Sequence, residues 1–431
     1  MSPRRTCEWK ALTASILATA GGLAPSPGNA QSAGSEFQFK ISGYSNLTPG
    51  ALEGGHGDDR AGRFGFLSEG EVEVTPQFRT SDGTAFALRA VLNGTVLAGR
   101  YDVPQRLAIP EVSAFAIGSF GRIEIGERAG FPQSLVGFTP SEIAFTAAEF
   151  GPESGTRLDP NGRLPTTFLD PAVGGRIDAL TYLGYAARFY DDRSPKIIYV
   201  SPRFAGGVYG ALSYTPRSVE PNGFTLAERG LGVGSGRFGS TVDLGEFENV
   251  VQSALVYNRR SETLDLSVGA TFSHASAGKN APPFLRDRDT TSLSVGVSAT
   301  LNDTWVLGAS VTYDGFSPER ADLPTNLRSD PFGIVASLNY VAGPWIFGGY
   351  YQHAEAASRT VEPRRDRVDI GEVGVSYFLD HDHDLLGAGF YTDLKLYASV
   401  YHYSFRSDGA AGSGDRSEGT VFLAGVRFSF F

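Results

Sequence analysis

From Glu36 to Phe431 the chain is a succession of about sixteen short stretches in which every second residue is apolar. A period of two marks strands with one oily face and one polar face. The connections alternate as well, tight turns on one side and long polar segments on the other. Few folds satisfy both rhythms. They describe an antiparallel meander whose two ends meet different surroundings.

The pattern predicts strands over 36–44, 64–79, 84–96, 111–118, 122–128, 195–204, 206–216, 248–259, 262–274, 289–301, 304–315, 331–341, 344–354, 367–378, 391–404 and 418–430. Short turns are expected at Ser81-Asp82-Gly83, Gly118-Ser119-Phe120-Gly121, Ala205-Gly206-Gly207, Arg259-Arg260-Ser261, Asn302-Asp303 and Ala342-Gly343-Pro344, where Gly, Asn, Asp and Pro supply turn geometry. The opposite connections, 45–63, 97–110, 129–194, 217–247, 275–288, 316–330, 355–366 and 405–417, are long and polar. The stretch from Asp380-His381-Asp382-His383-Asp384 onward reads as one longer turn on the short side.

The charges test each register independently of the apolar residues that set it. Lys40, Glu69, Glu71, Glu73, Arg89, Arg122, Glu124, Lys196, Asp265, Asp314, Glu372, Lys395 and Arg427 fall on the face opposite the apolar set wherever that set is clear. Lys or Arg pointing into lipid at a bilayer midplane costs ~2–4 kcal/mol, whereas one facing a wet lumen costs little. A soluble sandwich would show the same alternation with the polarity inverted. Three observations favour a membrane barrel. A sandwich of this length would be two domains with Greek-key crossings. No blade-like repeat of ~40–50 residues is present. Tyr and Trp recur near strand ends, at Tyr44, Tyr214, Tyr257, Trp305, Tyr313, Tyr340, Trp345 and Tyr351, where interfacial girdles lie. The expected fold is therefore all-β, a transmembrane up-and-down barrel of about 16 strands. No segment offers the ~20 consecutive apolar residues of a spanning helix.

Residues 1–30 read as a signal peptide: Arg4, Arg5 and Lys10 precede an apolar run, and Gly28-Asn29-Ala30 offers a small-residue cleavage site. Residues 31–431 are expected to form one domain, the barrel. The only cysteine, Cys7, lies in the leader, so no disulfide or thiol site is expected in the mature chain. The full chain has 37 basic and 47 acidic residues; without Arg4, Arg5, Lys10 and Glu8 the balance is 34 to 46, or −12. Such acidity argues against a nucleic-acid partner.

Three stretches resemble the Gram-negative general porins. Ala114-Phe115-Ala116-Ile117-Gly118-Ser119-Phe120-Gly121-Arg122-Ile123-Glu124-Ile125-Gly126 is similar to the hairpin before the constriction loop of those porins. Ile198-Tyr199-Val200-Ser201-Pro202-Arg203-Phe204-Ala205-Gly206-Gly207 is similar to the strand and turn that come after that loop. The end, Phe428-Ser429-Phe430-Phe431, is like their terminal phenylalanine signal. The resemblance implies a sixteen-stranded trimer in the outer membrane, exported through the periplasm, with assembly machinery engaging the Phe431 end. It also implies outer-membrane lipids and lipopolysaccharide as partners, and passive diffusion of ions and small hydrophilic solutes. Two departures matter. Ile198 and Val200 stand where the family often carries polar lumen residues, which points to a covered or packed wall. Phe431 is out of phase with Phe422, Ala424, Val426, Phe428 and Phe430.

The segment 129–194 is too long for an ordinary connector. In the porins it resembles, the corresponding third external loop folds into the lumen. Residues 140–150 read as a short helix with Ser141 as cap. Its carboxylates Glu142 and Glu149, with Asp170 further along, are candidates for the constriction, facing Lys40, Arg89, Arg63 and Arg128 on the wall. Opposed charges across a narrow waist order water and penalise apolar solutes, while rings of charge select ions by sign. Glu69, Glu71 and Glu73 project from one strand to one side, either as a solvated wall or as an acidic lane that favours cations.

Other chemistries fit less well. The alternating Asp380–Asp384 run does not converge on one ion, and no Asp-x-Asp-x-Asp-Gly loop occurs, so no metal and no cofactor is assigned. A barrel hydrolase needs a Ser-His-acid set. Of the six histidines only His274 has close serines, and Ser273 beside it points to the opposite face, so no catalytic residue is assigned. A substrate-specific channel for sugars or organic acids is the nearer rival. The expected inward aromatics, Tyr209, Tyr350 and Tyr403, are scattered and do not form the run such channels show. A plugged, purely structural barrel is the third alternative.

Overall fold

The computed structural model describes residues 36–54, 63–98, 106–128, 177, 180, 189, 192, 194–204, 206–218, 247–277, 289–314, 331–358, 364–384, 391–409 and 415–430. Sixteen strands follow in chain order: β1 (Glu36–Gly54), β2 (Arg63–Arg79), β3 (Ala85–Ala98), β4 (Arg106–Gly118), β5 (Gly121–Glu127), β6 (Pro195–Val200), β7 (Val208–Ser218) and β8 (Phe247–Arg260). The second half comprises β9 (Leu264–Ala277), β10 (Thr290–Leu301), β11 (Trp305–Tyr313), β12 (Phe332–Ala342), β13 (Trp345–Ser358), β14 (Arg364–Asp384), β15 (Tyr391–Gly409) and β16 (Asp415–Phe430). Each strand pairs antiparallel with its sequence neighbours, and β1 pairs with β16, so the sheet closes into a barrel without an edge. Closure satisfies every ladder internally, which a backbone surrounded by hydrocarbon requires.

The polarity of the wall is the reverse of a soluble sandwich. Leu255 is 61 % exposed on the outer face of β8, while Ala254 and Val256 on either side of it are buried inward. Phe86 and Leu88 are exposed on the outside of β3, and Arg89, the next residue along, is 2 % exposed on the inside. Glu71, Arg89, Glu124, Lys196, Asp314, Glu372, Lys395 and Arg427 are all buried on the inner phase, as the alternation predicts. A belt of Phe, Leu, Ile and Val on the outside is the surface that lipid covers, at ~25 cal/mol per Å² of apolar area removed from water. Trp305 against Tyr340 (4.8 Å between ring centroids) and Trp345 against Tyr377 (4.5 Å) form part of a girdle at the short-turn end.

Turn chemistry fixes the short end. Asn302 and Asp303 both take left-handed backbone (φ 51° and 53°) in the turn between Leu301 and Trp305, which the Thr304 amide closes by donating to the Leu301 carbonyl at 3.0 Å. Gly207 has φ 91°, and a Cβ there would collide with the Asn258 carbonyl oxygen, so only glycine lets β7 leave the turn this close to β8. Pro49 and Pro76 sit inside strands where the ladder is interrupted: β1–β16 pairing passes from Leu47↔Val426 to Gly50↔Leu423, and β2–β3 from Val74↔Ala90 to Gln77↔Ala87. Proline, lacking a donor, is tolerated at such gaps.

Three expectations need correction. Several strands run further at the long-connection end than the alternation suggests: β1 reaches Gly54, β13 reaches Ser358 and β15 reaches Gly409. Asp380–Asp384 is not a turn but the end of β14, paired with β15 across two register shifts, with His383 opposite Thr392. Tyr44 is not a girdle residue; it is 5 % exposed on the inner face, beneath Arg427.

Candidate functional site

The inner wall of β2–β5 carries a continuous charged network. Arg89 of β3 donates from Nε to Glu73 Oε2 at 2.9 Å and from Nη1 to Glu111 on β4. Glu73 also accepts from Thr75 at 2.9 Å. One step along, Glu124 of β5 accepts from the Ser113 hydroxyl at 2.5 Å, from Arg122 Nε at 3.0 Å and from Arg128 Nη1 at 2.9 Å. Cross-strand register makes this possible, because Arg89 pairs with Ser113 and Glu111 with Val91, putting these side chains on one face of neighbouring strands. Charged groups so enclosed are stable only when paired and hydrogen-bonded. The arrangement therefore lines the interior with fixed alternating charge.

The sequence-predicted residues divide accordingly. Arg89, Arg128 and Glu73 belong to the network, and Glu71 lies on the same inner phase of β2, buried. Lys40 also lies on the inner phase of β1, but it is exposed and opposite Thr75, near the short-turn rim and beyond the end of β16. Glu69 and Arg63, whose side chains are outside the described residues, are strand residues of β2 opposite Asn46 and Leu52. Glu142, Glu149 and Asp170 lie outside the described residues altogether, as does the 140–150 segment. The sequence reading overlooked Glu111, Ser113, Arg122 and Glu124 as a site. Their common phase, opposite Val112, Ala114, Ile123 and Ile125, was the available signal.

Elsewhere the inner wall carries further buried charges and apolar stretches. Lys395 and Arg427 are direct register partners on β15 and β16, both buried. The Arg427 guanidinium stands 4.2 Å above the Tyr44 ring and donates from Nε to Ser429 Oγ at 3.1 Å. Lys196 of β6 donates to the Asp192 carbonyl, with the Asp192 carboxylate 3.7 Å away. Ile198 and Val200 pack with Tyr209, Ala211, Ala254 and Val256, so the wall there is apolar and packed, as their unusual residue types imply.

Of the inward aromatics expected to be scattered, Tyr350 and Tyr403 share one buried cluster, whereas Tyr209 stands apart in the cluster with Ile198. Tyr397, Tyr401, Tyr403 and Phe405 climb one face of β15 and are buried, and Tyr350 of β13 stands edge-on to Tyr401 at 6.2 Å. Tyr350, Tyr401, Tyr403 and Phe405 share a buried cluster with Ile370 and Leu423. Ile177 and Leu180 of the long β5–β6 connection belong to that cluster. Phe189, further along the connection, stacks edge-on with Phe247 at 5.4 Å, and Gln252 Nε2 donates to its carbonyl at 3.3 Å. These contacts bring described parts of the long connection against inward-facing strands. His274 lies on the outer phase, Nδ1 3.0 Å from the Thr291 hydroxyl, away from the buried, inward Ser273.

A Gram-negative porin family model matches residues 11–396. No curated protein sequence matches the chain. Among solved structures, the anion-selective porin from Comamonas acidovorans aligns at 14 % identity and TM-score 0.53, covering 91 % of this chain and 100 % of that one. OmpT, an outer membrane protein of Vibrio cholerae, in-vitro folded and in trimer form, aligns at 12 % identity and TM-score 0.48, covering 91 % and 99 %.

Proposed function

The chain belongs to the Gram-negative porin family, and from that premise we propose that it passes ions and small hydrophilic solutes by passive diffusion, with a preference for cations. A closed sixteen-strand barrel of this family is an outer-membrane channel rather than an enzyme. Barrels of ~16–18 strands are wide enough for an aqueous passage. The observation that carries the reading is the enclosed network Glu73–Arg89–Glu111 and Glu124–Arg122–Arg128, a polar surface turned away from lipid. Cation preference is supported by the −12 balance without the leader and by Glu71 and Glu73 on one inner face.

Residues 1–30 act as the export signal and 31–431 as the membrane domain. The working form is a homotrimer, inserted by assembly machinery that reads the Phe431 end, with outer-membrane lipid and lipopolysaccharide around it. Glu142, Glu149 and Asp170 narrow the passage opposite the β2–β5 wall. Planar-bilayer recording on purified protein tests the reading. Stepwise conductance in multiples of three and a zero-current potential of cationic sign are expected; a silent bilayer defeats diffusion, and an anionic sign defeats the selectivity.

A further inference from the structure

On the outer face, at the long-connection end, three arginines stand side by side. Arg367 of β14 is the direct register partner of Arg406 on β15, and Arg406 of Arg416 on β16. All three share the outward phase of their strands, Arg367 with Val373 and Leu379, Arg406 with Leu396, and Arg416 with Phe422 and Phe428, all lipid-side residues. Directly opposed side chains in an antiparallel pair lie ~4.5–5.5 Å apart at Cβ, and like charges there are destabilising. A row of three is therefore costly unless an anion joins it.

The protein's own carboxylates neutralise this row only in part. Glu355 of β13 is shared between Arg365 and Arg367, the latter at 3.4 Å. Glu418 meets Arg416 at 3.2 Å and His402 at 3.6 Å. Asp369 accepts from Tyr351 at 2.6 Å and from His353 at 2.9 Å. Among the described residues Arg406, the middle of the row, makes no ion pair; Asp369 acts on it only through longer-range attraction, and Asp408 is the register partner of Arg365. At the same end of β9–β11 the described outward side chains include His274, Ser276, Thr291, Leu293 and Tyr313, with Asp289 just before β10, none of them an arginine.

We propose that the Arg367–Arg406–Arg416 row binds the phosphorylated headgroup of a lipid in the external leaflet, its acyl chains lying down the apolar strip of Val373, Leu396 and Phe422. Guanidinium groups match phosphate oxygens two by two, and a lipid already presses on this face, so the anion arrives without an added diffusion step. The inference rests on the outer-membrane reading of the barrel.

The test uses full-length protein folded in detergent, probed with bisphosphorylated lipid A and with its dephosphorylated counterpart, bound lipid being read by native mass spectrometry and by titration. The parent is expected to retain the phosphorylated lipid preferentially. Arg367→Gln/Arg406→Gln/Arg416→Gln together should weaken it about tenfold or more, since each lost charge-assisted pair is among the stronger hydrogen bonds. Arg259→Gln, on the outer wall at the short-turn end, should leave binding unchanged. Single Arg406→Gln tests the same point should the triple variant fold poorly, and Arg406→Lys, which keeps the charge but not the forked geometry, should retain only part of the binding. Equal retention by parent and Gln variants, no preference for the phosphorylated lipid, or displacement by inorganic phosphate alone would each overturn the proposal. Conductance measured on the same preparation separates the two readings: a conducting channel whose lipid retention is indifferent to the arginines sinks this inference only, and a silent one sinks the diffusion reading.

Discussion

Tyr397 on β15 lies against its register partner Gly425 on β16 so closely that a Cβ at Gly425 would collide with the tyrosine oxygen and Cζ. The phenol reaches across to the Thr48 hydroxyl on β1, so one side chain spans the seam where the barrel closes. Leu47 O, 2.8 Å from the same Cβ position, blocks escape on the other side. Gly425→Ala should therefore destabilise the folded barrel by about 1–3 kcal/mol, the cost of overpacking a tight site. Guanidinium unfolding followed by tryptophan fluorescence checks it. In a Tyr397→Ala background, itself less stable, Gly425→Ala should cost far less than in the parent; if Gly425→Ala is harmless in the parent, the packing argument is wrong.

Glu124 holds two arginines and a hydroxyl at 1 % exposure. Glu124→Gln keeps the shape but leaves Arg122 and Arg128 without their shared carboxylate. Breaking a buried ion pair from one side costs ~3–5 kcal/mol. A lower unfolding midpoint is expected, with a zero-current potential shifted toward anions. An unchanged potential would mean that this cluster is remote from the ion path.

The charges were legible in the sequence because strand phase alone puts them inside: Glu71, Arg89, Glu124 and Lys395 needed only the apolar residues beside them. Their partners were not. Arg89 meets Glu111 through β3–β4 register, and that depends on turn geometry and on the shift between Val91 and Asn93. Strand ends failed for a different reason. Beyond the apolar belt both faces of a strand meet water, so alternation fades although the ladder continues, as in β13 to Ser358 and β14 from Arg364. Asp380–Asp384 read as a turn from its polarity for the same cause.

Asp82 in the β2–β3 turn accepts hydrogen bonds from the Thr80 hydroxyl and, at 3.1 Å, from the Thr84 amide, and these hold its carboxyl below the ordinary value of 3.8. A depressed carboxylate stabilises the folded turn above its ordinary pKa, and that contribution is lost as pH falls through the lower folded value. Protection of the Thr84 amide against hydrogen exchange, corrected for intrinsic rate, should decline below pH 3.8 in the parent. In Asp82→Asn the decline should be absent. Parallel curves for the two proteins would rule the carboxylate out.

Asp303 occupies the second left-handed position of the β10–β11 hairpin at φ 53°. Glycine meets that backbone without a Cβ penalty, and Asn-Gly is the favoured pair for such turns. Asp303→Gly should hold or raise stability by roughly 0.5 kcal/mol, despite the greater freedom it gives the unfolded chain. A fall beyond about 1 kcal/mol on the same scale would show that the Asp303 side chain contributes something the backbone does not reveal.

Ile177 and Leu180 tie the long β5–β6 connection to the apolar and aromatic inner face of β12–β16, the two residues being 0 % and 3 % exposed. Their spacing of three puts both on one side of a helical turn, and both are in helical conformation. The strand ladders do not depend on them, so losing the contact should free the connection without opening the barrel. Leu180→Ala removes a buried side chain worth ~2–5 kcal/mol at a well-packed site, enough to make the docked arrangement intermittent. Open-channel current noise and brief conductance steps should increase, while global unfolding of the barrel changes little. Ile177→Ala should act the same way and Leu180→Met, which conserves volume, should not. Quiet current from both alanine variants would show that the connection is held by contacts other than this cluster.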